Sequence, residues 1–150
     1  MSKMYLMIGC PGAGKSYYIQ QHIKPNELVI SRDVIRFNIL KKGDAYFSKE
    51  NQVYNEFVAQ INTAIAEDKT FYVDQTSLNP GSRSKLFSKL EKRPDKLIAI
   101  YIEASLEKVL YQNSLRSGRA LVPEDAVINM YNSLVPPTKK EGFDEIWIIK

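Results

Sequence analysis

Short apolar runs punctuate this chain at 4–8, 28–31, 70–74, 97–103 and 145–149, with longer amphipathic stretches between them. The runs are near-continuous rather than alternating, which predicts strands covered on both faces. The intervening stretches predict helices at 15–23, 34–41, 49–67, 81–92, 106–115 and 124–134. In the third of these, Val53, Phe57, Ile61 and Ile65 recur at four-residue steps, an apolar stripe that faces a sheet. Strand and helix alternate throughout, the pattern of an α/β fold with a parallel sheet. Ligands in such folds bind beyond the carboxyl ends of the strands, so polar residues that follow strands are the candidates for chemistry.

The first strand runs directly into Gly9-Cys10-Pro11-Gly12-Ala13-Gly14-Lys15-Ser16, a complete G-x-x-x-x-G-K-[ST] phosphate loop with a helical pattern after it. Glycine lets successive backbone N–H groups curl around an anion where a Cβ would block them. Lys15 supplies a mobile positive charge to the outer phosphates, and the Ser16 hydroxyl is a Mg²⁺ ligand by type. The start of the next helix adds its positive dipole end. A structural glycine turn is the bland alternative, and the strand-loop-helix context weighs against it. ATP and Mg²⁺ are therefore expected, with residues 9–16 as the ATP-binding segment. The fold expectation sharpens to a kinase-type P-loop NTPase, a three-layer sandwich with a five-stranded parallel sheet and a short lid at about 116–123.

Composition changes little. At 150 residues the chain is expected to be one domain over 1–150, and 44% hydrophobic with 25% charged residues is ordinary for a globular protein. No apolar stretch approaches the roughly 20 residues of a membrane helix, and Met1-Ser2-Lys3 leads at once into a strand rather than a signal sequence. With Cys10 as the single cysteine no internal disulfide can form, so a cytoplasmic location is expected. Cys10 itself reads as a small filler and His22 as a surface residue. The net charge of +4 suits a polyanionic substrate without establishing one, and the pairs Lys41-Lys42 and Lys139-Lys140 read as solvated surface.

Three segments carry candidate chemistry. The second strand ends in Ser31-Arg32-Asp33-Val34-Ile35-Arg36. A carboxylate just past a strand tip and near a phosphate loop can accept the proton of an attacking hydroxyl, so Asp33 is a candidate general base. It is equally suited to cap the next helix. Arg36, three residues on, falls on the same side and is a candidate for an anionic group of the acceptor, whereas Arg32 is expected to face away as a surface charge or in a salt bridge. The third strand ends in Asp74, the Walker-B position for a Mg²⁺ ligand. The polar loop after it, with Thr76 and Asn79, is expected to line an acceptor site, Asn79 also as helix cap. The third segment is Asn113-Ser114-Leu115-Arg116-Ser117-Gly118-Arg119, where Arg116 and Arg119 read as lid arginines over a triphosphate. A basic helix end stabilised by the macrodipole is the alternative. Tyr46, Phe47 and Tyr54 stand on the acceptor side, suited either to stacking an end base or to packing under the long helix.

Taken together, GCPGAGKS at 9–16, S-R-D-x-x-R at 31–36, Asp74 with Leu78-Asn79-Pro80, and N-S-x-R at 113–116 followed by Val122-Pro123 and Met130-Tyr131 resemble the polynucleotide 5′-hydroxyl kinase family, in particular the phage enzyme's kinase domain. The resemblance spans about 4–134. It implies that Lys15 and Ser16 serve ATP and Mg²⁺, that Asp33 is the general base on a 5′-OH, and that Arg36 contacts the acceptor's phosphate backbone. Asp74 falls in the acceptor or metal site, and Arg116 is the lid arginine. One extra residue separates Asp74 from Leu78 relative to the family pattern. Gln112 stands where the family has a second arginine, a loss that Arg119 could offset. The phage enzyme's phosphatase domain has no counterpart in these residues, and no 3′-phosphatase activity is expected.

The expected function is ATP-dependent phosphoryl transfer to the 5′-hydroxyl end of DNA or RNA, in nucleic-acid end repair. A small-molecule kinase for a nucleotide, nucleoside or sugar derivative is the first alternative. A nucleotide-binding module without turnover is the second. The sequence leaves open DNA against RNA, self-association and pathway.

Overall fold

The computed structural model describes residues 1–118 and 121–150. The strands are β1 (Lys3–Ile8), β2 (Leu28–Ser31), β3 (Thr70–Asp74), β4 (Lys96–Ile102) and β5 (Glu145–Ile149). They form a five-stranded sheet in the order β2-β3-β1-β4-β5, every pair parallel. The helices are α1 (Lys15–His22), α2 (Arg32–Ile39), α3 (Glu50–Ala66), α4 (Pro80–Ser88), α5 (Leu106–Ser114) and α6 (Glu124–Ser133). Among the described residues no helix is long and apolar enough to cross a membrane.

Strand pleat sorts β1 residue by residue. Met4, Leu6 and Ile8 pack with Phe71, Val73, Leu97 and Ala99 against Val53, Phe57, Ile61 and Ile65 of α3, all buried. Tyr5 and Met7 point the other way, with Tyr72, Ile98 and Ile100, onto Ile19 of α1, Val109 of α5 and Val127 of α6. That is the expected three-layer sandwich of a P-loop kinase-type fold, and the α3 stripe faces the sheet.

The outer strands depart from the expectation of burial on both faces. In β2, Leu28 and Val29 are exposed, and in β5 so are Trp147 and Ile148. Each of these strands lies at an edge of the sheet with a single neighbour. Boundaries shift for local reasons. Helix α2 starts at Arg32 rather than 34 because the Ser31 hydroxyl accepts from the Val34 N–H at 3.3 Å. Helix α4 stops at Ser88 rather than 92, and the Asn62 side chain accepts from the Glu91 N–H at 2.9 Å instead. A 3₁₀ turn at Lys139–Glu141, closed by a Thr138–Glu141 capping box, was not anticipated.

Register sets Ser31 beside Asp74. The carboxyl ends of β1, β2 and β3 therefore open onto one edge of the sheet, where the phosphate loop begins.

Candidate active site

Backbone geometry accounts for the glycines of the loop. The Gly9 N–H donates to the Thr76 carbonyl at 3.1 Å, tying the loop to the segment after β3. Gly12 has φ +87°, and a Cβ there would stand 2.6 Å from the Val109 carbonyl oxygen, so α5 lies directly on the loop. Gly14, at φ +103°, precedes α1 without any side-chain cap, and nothing lies within 4 Å of its missing Cβ. An uncapped helix start facing open space leaves backbone N–H groups for an anion, as a phosphate cradle requires.

Lys15 is buried, and its Nζ donates to the carbonyls of Gly9 at 2.9 Å and Cys10 at 3.0 Å. Burial pushes its pKa down; the carboxylates of Asp74 and Asp33 oppose that shift, and the charge of Arg116 adds to it. Cys10 is buried and its thiol is pushed up by burial, in keeping with a neutral filler.

The Ser16 hydroxyl donates to Asp74 Oδ2 at 3.0 Å. This hydroxyl–carboxylate pair offers hard oxygen donors of the kind Mg²⁺ prefers. Among the described residues there is no group of three or more His, Cys, Asp or Glu able to hold a metal. The donor set fits an ion that completes its shell with water and phosphate oxygens, not a protein cage.

Asp33 lies in the first turn of α2, and Ser31, not Asp33, is the cap. Its carboxylate is 65% exposed. Oδ1 accepts from the Arg36 guanidinium and from the Tyr46 hydroxyl, the latter at 3.2 Å. Arg36 does fall on the side of Asp33, but it is buried and heavily engaged. Its Nε donates to Glu50 Oε1 at 2.5 Å, its Nη2 to Glu50 Oε2 at 3.1 Å, and its Nη1 to Asp33 and to the Tyr46 hydroxyl. Four of the guanidinium's five N–H groups are used, so about one remains for an acceptor phosphate unless a partner is released. Arg32 makes the expected salt bridge, with Glu50, but it does not face away from Arg36. It sits four residues from Arg36, hence on the same face, and its Nη2 reaches Glu50 Oε2 at 3.1 Å. Glu50 is the residue sequence reasoning missed, since nothing local links the start of α3 to two arginines of α2.

Arg36 holds the Glu50 carboxyl below the usual carboxylate range. A depressed carboxyl contributes stability that is complete above its unfolded pKa and is lost as the pH falls through the lower folded value. Glu50→Gln is therefore expected to be less stable than the wild type at neutral pH, the gap closing as the pH drops from about 5 towards 3. Urea unfolding across that range checks it, and a pH-independent gap would contradict it.

Arg116 is exposed just past the end of α5. Asn113 is buried, its amide donating to the Val122 carbonyl at 2.6 Å and accepting from the Val122 N–H at 3.1 Å. This clamp, which the motif alone did not reveal, closes the base of the segment that carries Arg116. Arg119, the second expected lid arginine, lies outside the described residues.

The loop after β3 is built from beneath. Thr76 is half-buried with its carbonyl on Gly9, and Asn79 caps α4, accepting from the Ser82 N–H at 2.9 Å. Arg83 is fully buried, bidentate to Glu141 at 2.6 and 3.1 Å, and donates to the Ser77 carbonyl at 2.8 Å. Ser77 has φ +50°, a strained value for a residue with a Cβ.

Comparison with known proteins follows the same outline. The AAA domain family profile matches residues 4–137. A protein of Acanthamoeba polyphaga mimivirus that carries the name bifunctional polynucleotide phosphatase/kinase is 29% identical over 153 residues, covering 96% of this chain and 32% of its own length. The chain thus spans about a third of that relative. Among solved structures, the Pnkp1/Rnl/Hen1 RNA repair complex contains a chain that superposes with a TM-score of 0.74 at 15% identity, covering 89% of this chain and 44% of that one. A gluconokinase from Sinorhizobium meliloti 1021 superposes with a TM-score of 0.62 at 16% identity, over 97% of this chain and 81% of that one. At these identities the structural matches speak to the fold.

Proposed function

This chain belongs to the AAA domain family, and from that premise we propose that it is an ATP-dependent kinase acting on the 5′-hydroxyl end of a polynucleotide. The observation that carries the reading is the exposed Asp33 carboxylate, two residues past Ser31, which the sheet register pairs with Asp74, itself hydrogen-bonded to Ser16 of the phosphate loop. A reactive acid there is placed to take the proton of a hydroxyl that attacks the terminal phosphorus of ATP bound in residues 9–16. Lys15 leaves its two carbonyl partners to neutralise the outer phosphates. Mg²⁺ held by Ser16 and Asp74 would draw charge from the phosphate oxygens. Arg116, exposed just past α5, would meet charge developing on the transferred group. The acceptor site comprises Asp33, Arg36, Asp74, Thr76 and Asn79. A polynucleotide acceptor is supported by the sequence motifs at 31–36 and 113–116 and by the mimivirus relative.

The test is label transfer from γ-³²P-ATP with Mg²⁺ to 5′-hydroxyl DNA, 5′-hydroxyl RNA, and a panel of nucleosides and sugar acids. Transfer to an oligonucleotide, efficient at low acceptor concentration, is the expected result. Transfer confined to a small molecule would replace the polymer with that acceptor. ATP binding with no transfer to any of them would make the chain a nucleotide-binding module.

A further inference from the structure

We propose that the exposed ring of Phe47 is a stacking platform for an unpaired base at the acceptor's end. This rests on the polynucleotide reading above and narrows its substrate to ends whose terminal base is free. The three aromatics of this region separate clearly in the structure. Tyr54 is committed to packing. Its ring tilts against Phe57 at 6.3 Å, and the cations of Arg32 and Lys85 each sit 5.0 Å from its centroid. Tyr46 is committed to the acid, its hydroxyl bridging Asp33 and Arg36 at 3.2 and 2.9 Å. Phe47 belongs to neither group. It is 68% exposed and packs in neither core cluster.

Phe47 is nevertheless held in place. It meets Tyr46 in a T-shaped contact, centroids 4.5 Å apart, and the Arg36 guanidinium lies 5.7 Å from its ring. Through Tyr46 the ring is therefore tied to the residues around the candidate base Asp33. Phe47 also borders an open surface hollow at the start of α3, lined further by Ser48, Lys49, Glu50, Asn51 and Gln52. Asn51 and Gln52 are exposed and carry amides that both donate and accept, the groups that read a base edge. An aromatic held by its neighbours with free ring area, beside an open hollow bearing two amides and next to the acid, is what a splayed terminal base requires.

The experiment compares oligonucleotides that carry either a normal base or an abasic sugar at the 5′ terminus, hydroxyl and first phosphate kept. For the wild type, removing the base is expected to raise the acceptor KM by roughly 5- to 150-fold, the value of one base–aromatic stack. Phe47→Ala should raise the KM of the normal acceptor by the same factor and erase the difference between the two, while the KM for ATP stays put. Phe47→Trp should restore the difference. In parallel, a 5′-terminal 2-aminopurine should lose fluorescence on binding the wild type and keep it with Phe47→Ala. An abasic penalty or a quench that survives in Phe47→Ala overturns the platform. If the wild type labels no oligonucleotide at all, the polynucleotide reading is what has failed, and the 2-aminopurine signal then judges the stack alone.

Discussion

Asp33→Asn is expected to lower kcat for phosphoryl transfer by about 10²- to 10⁴-fold, the usual contribution of a general base, with ATP affinity nearly intact. The substitution is chemically narrow. An amide oxygen can still accept from the Arg36 guanidinium and the Tyr46 hydroxyl, which now converge on Oδ1. What disappears is the ability to take a proton. The fold has little reason to object. The side chain is 65% exposed, the cap of α2 is Ser31, and Arg36 keeps both of its bonds to Glu50. Losing one acid from a helix's first turn costs about 0.3–1 kcal/mol. Single-turnover transfer beside calorimetric titration of a non-hydrolysable ATP analogue separates chemistry from binding. A variant that binds the analogue and transfers at the wild-type rate would remove Asp33 from the mechanism, and the assignment of the acceptor side with it.

What could be read from the sequence was what the chain encodes locally. The phosphate loop is eight consecutive residues, 9–16, and its glycines do the same work wherever the pattern sits between strand and helix. The α3 stripe is likewise a repeat within one element. What local spacing could not supply was long-range. Arg32 and Arg36 share the partner Glu50, 18 and 14 residues away, which turns Arg32 to the same face as Arg36 rather than away from it. Exposure of β2 and β5 follows from their places at the ends of the order β2-β3-β1-β4-β5, which no single strand's composition records. The Ser31 cap was hidden because Asp33, two residues later, is as good a capping residue by type. Asn113 was visible as a motif letter, but its role depends on Val122 folding back to meet it.

Arg83 is the extreme case, a fully buried cation whose partner Glu141 lies 58 residues away. Removing one member of a buried ion pair strands the other and typically costs about 3–5 kcal/mol. For a chain of this size each kcal/mol is worth roughly 2–4 °C, so Arg83→Ala or Glu141→Gln is expected to lower Tm by about 6–20 °C. Differential scanning calorimetry measures this directly, and a shift of a degree or two would mean that water reaches the pair. The double variant Arg83→Met/Glu141→Leu tests the cause. Apolar side chains of similar volume leave no buried charge behind, so most of the lost Tm should return. Activity should not return with it. Arg83 also donates to the Ser77 carbonyl at 2.8 Å, and Ser77, at φ +50°, shapes the turn between Asp74 and the Thr76 carbonyl on one side and α4 on the other. A methionine cannot make that bond. A double variant that is stable but slow would show that the buried guanidinium serves the loop beneath the phosphate site; one that is stable and fully active would confine Arg83 to holding the fold.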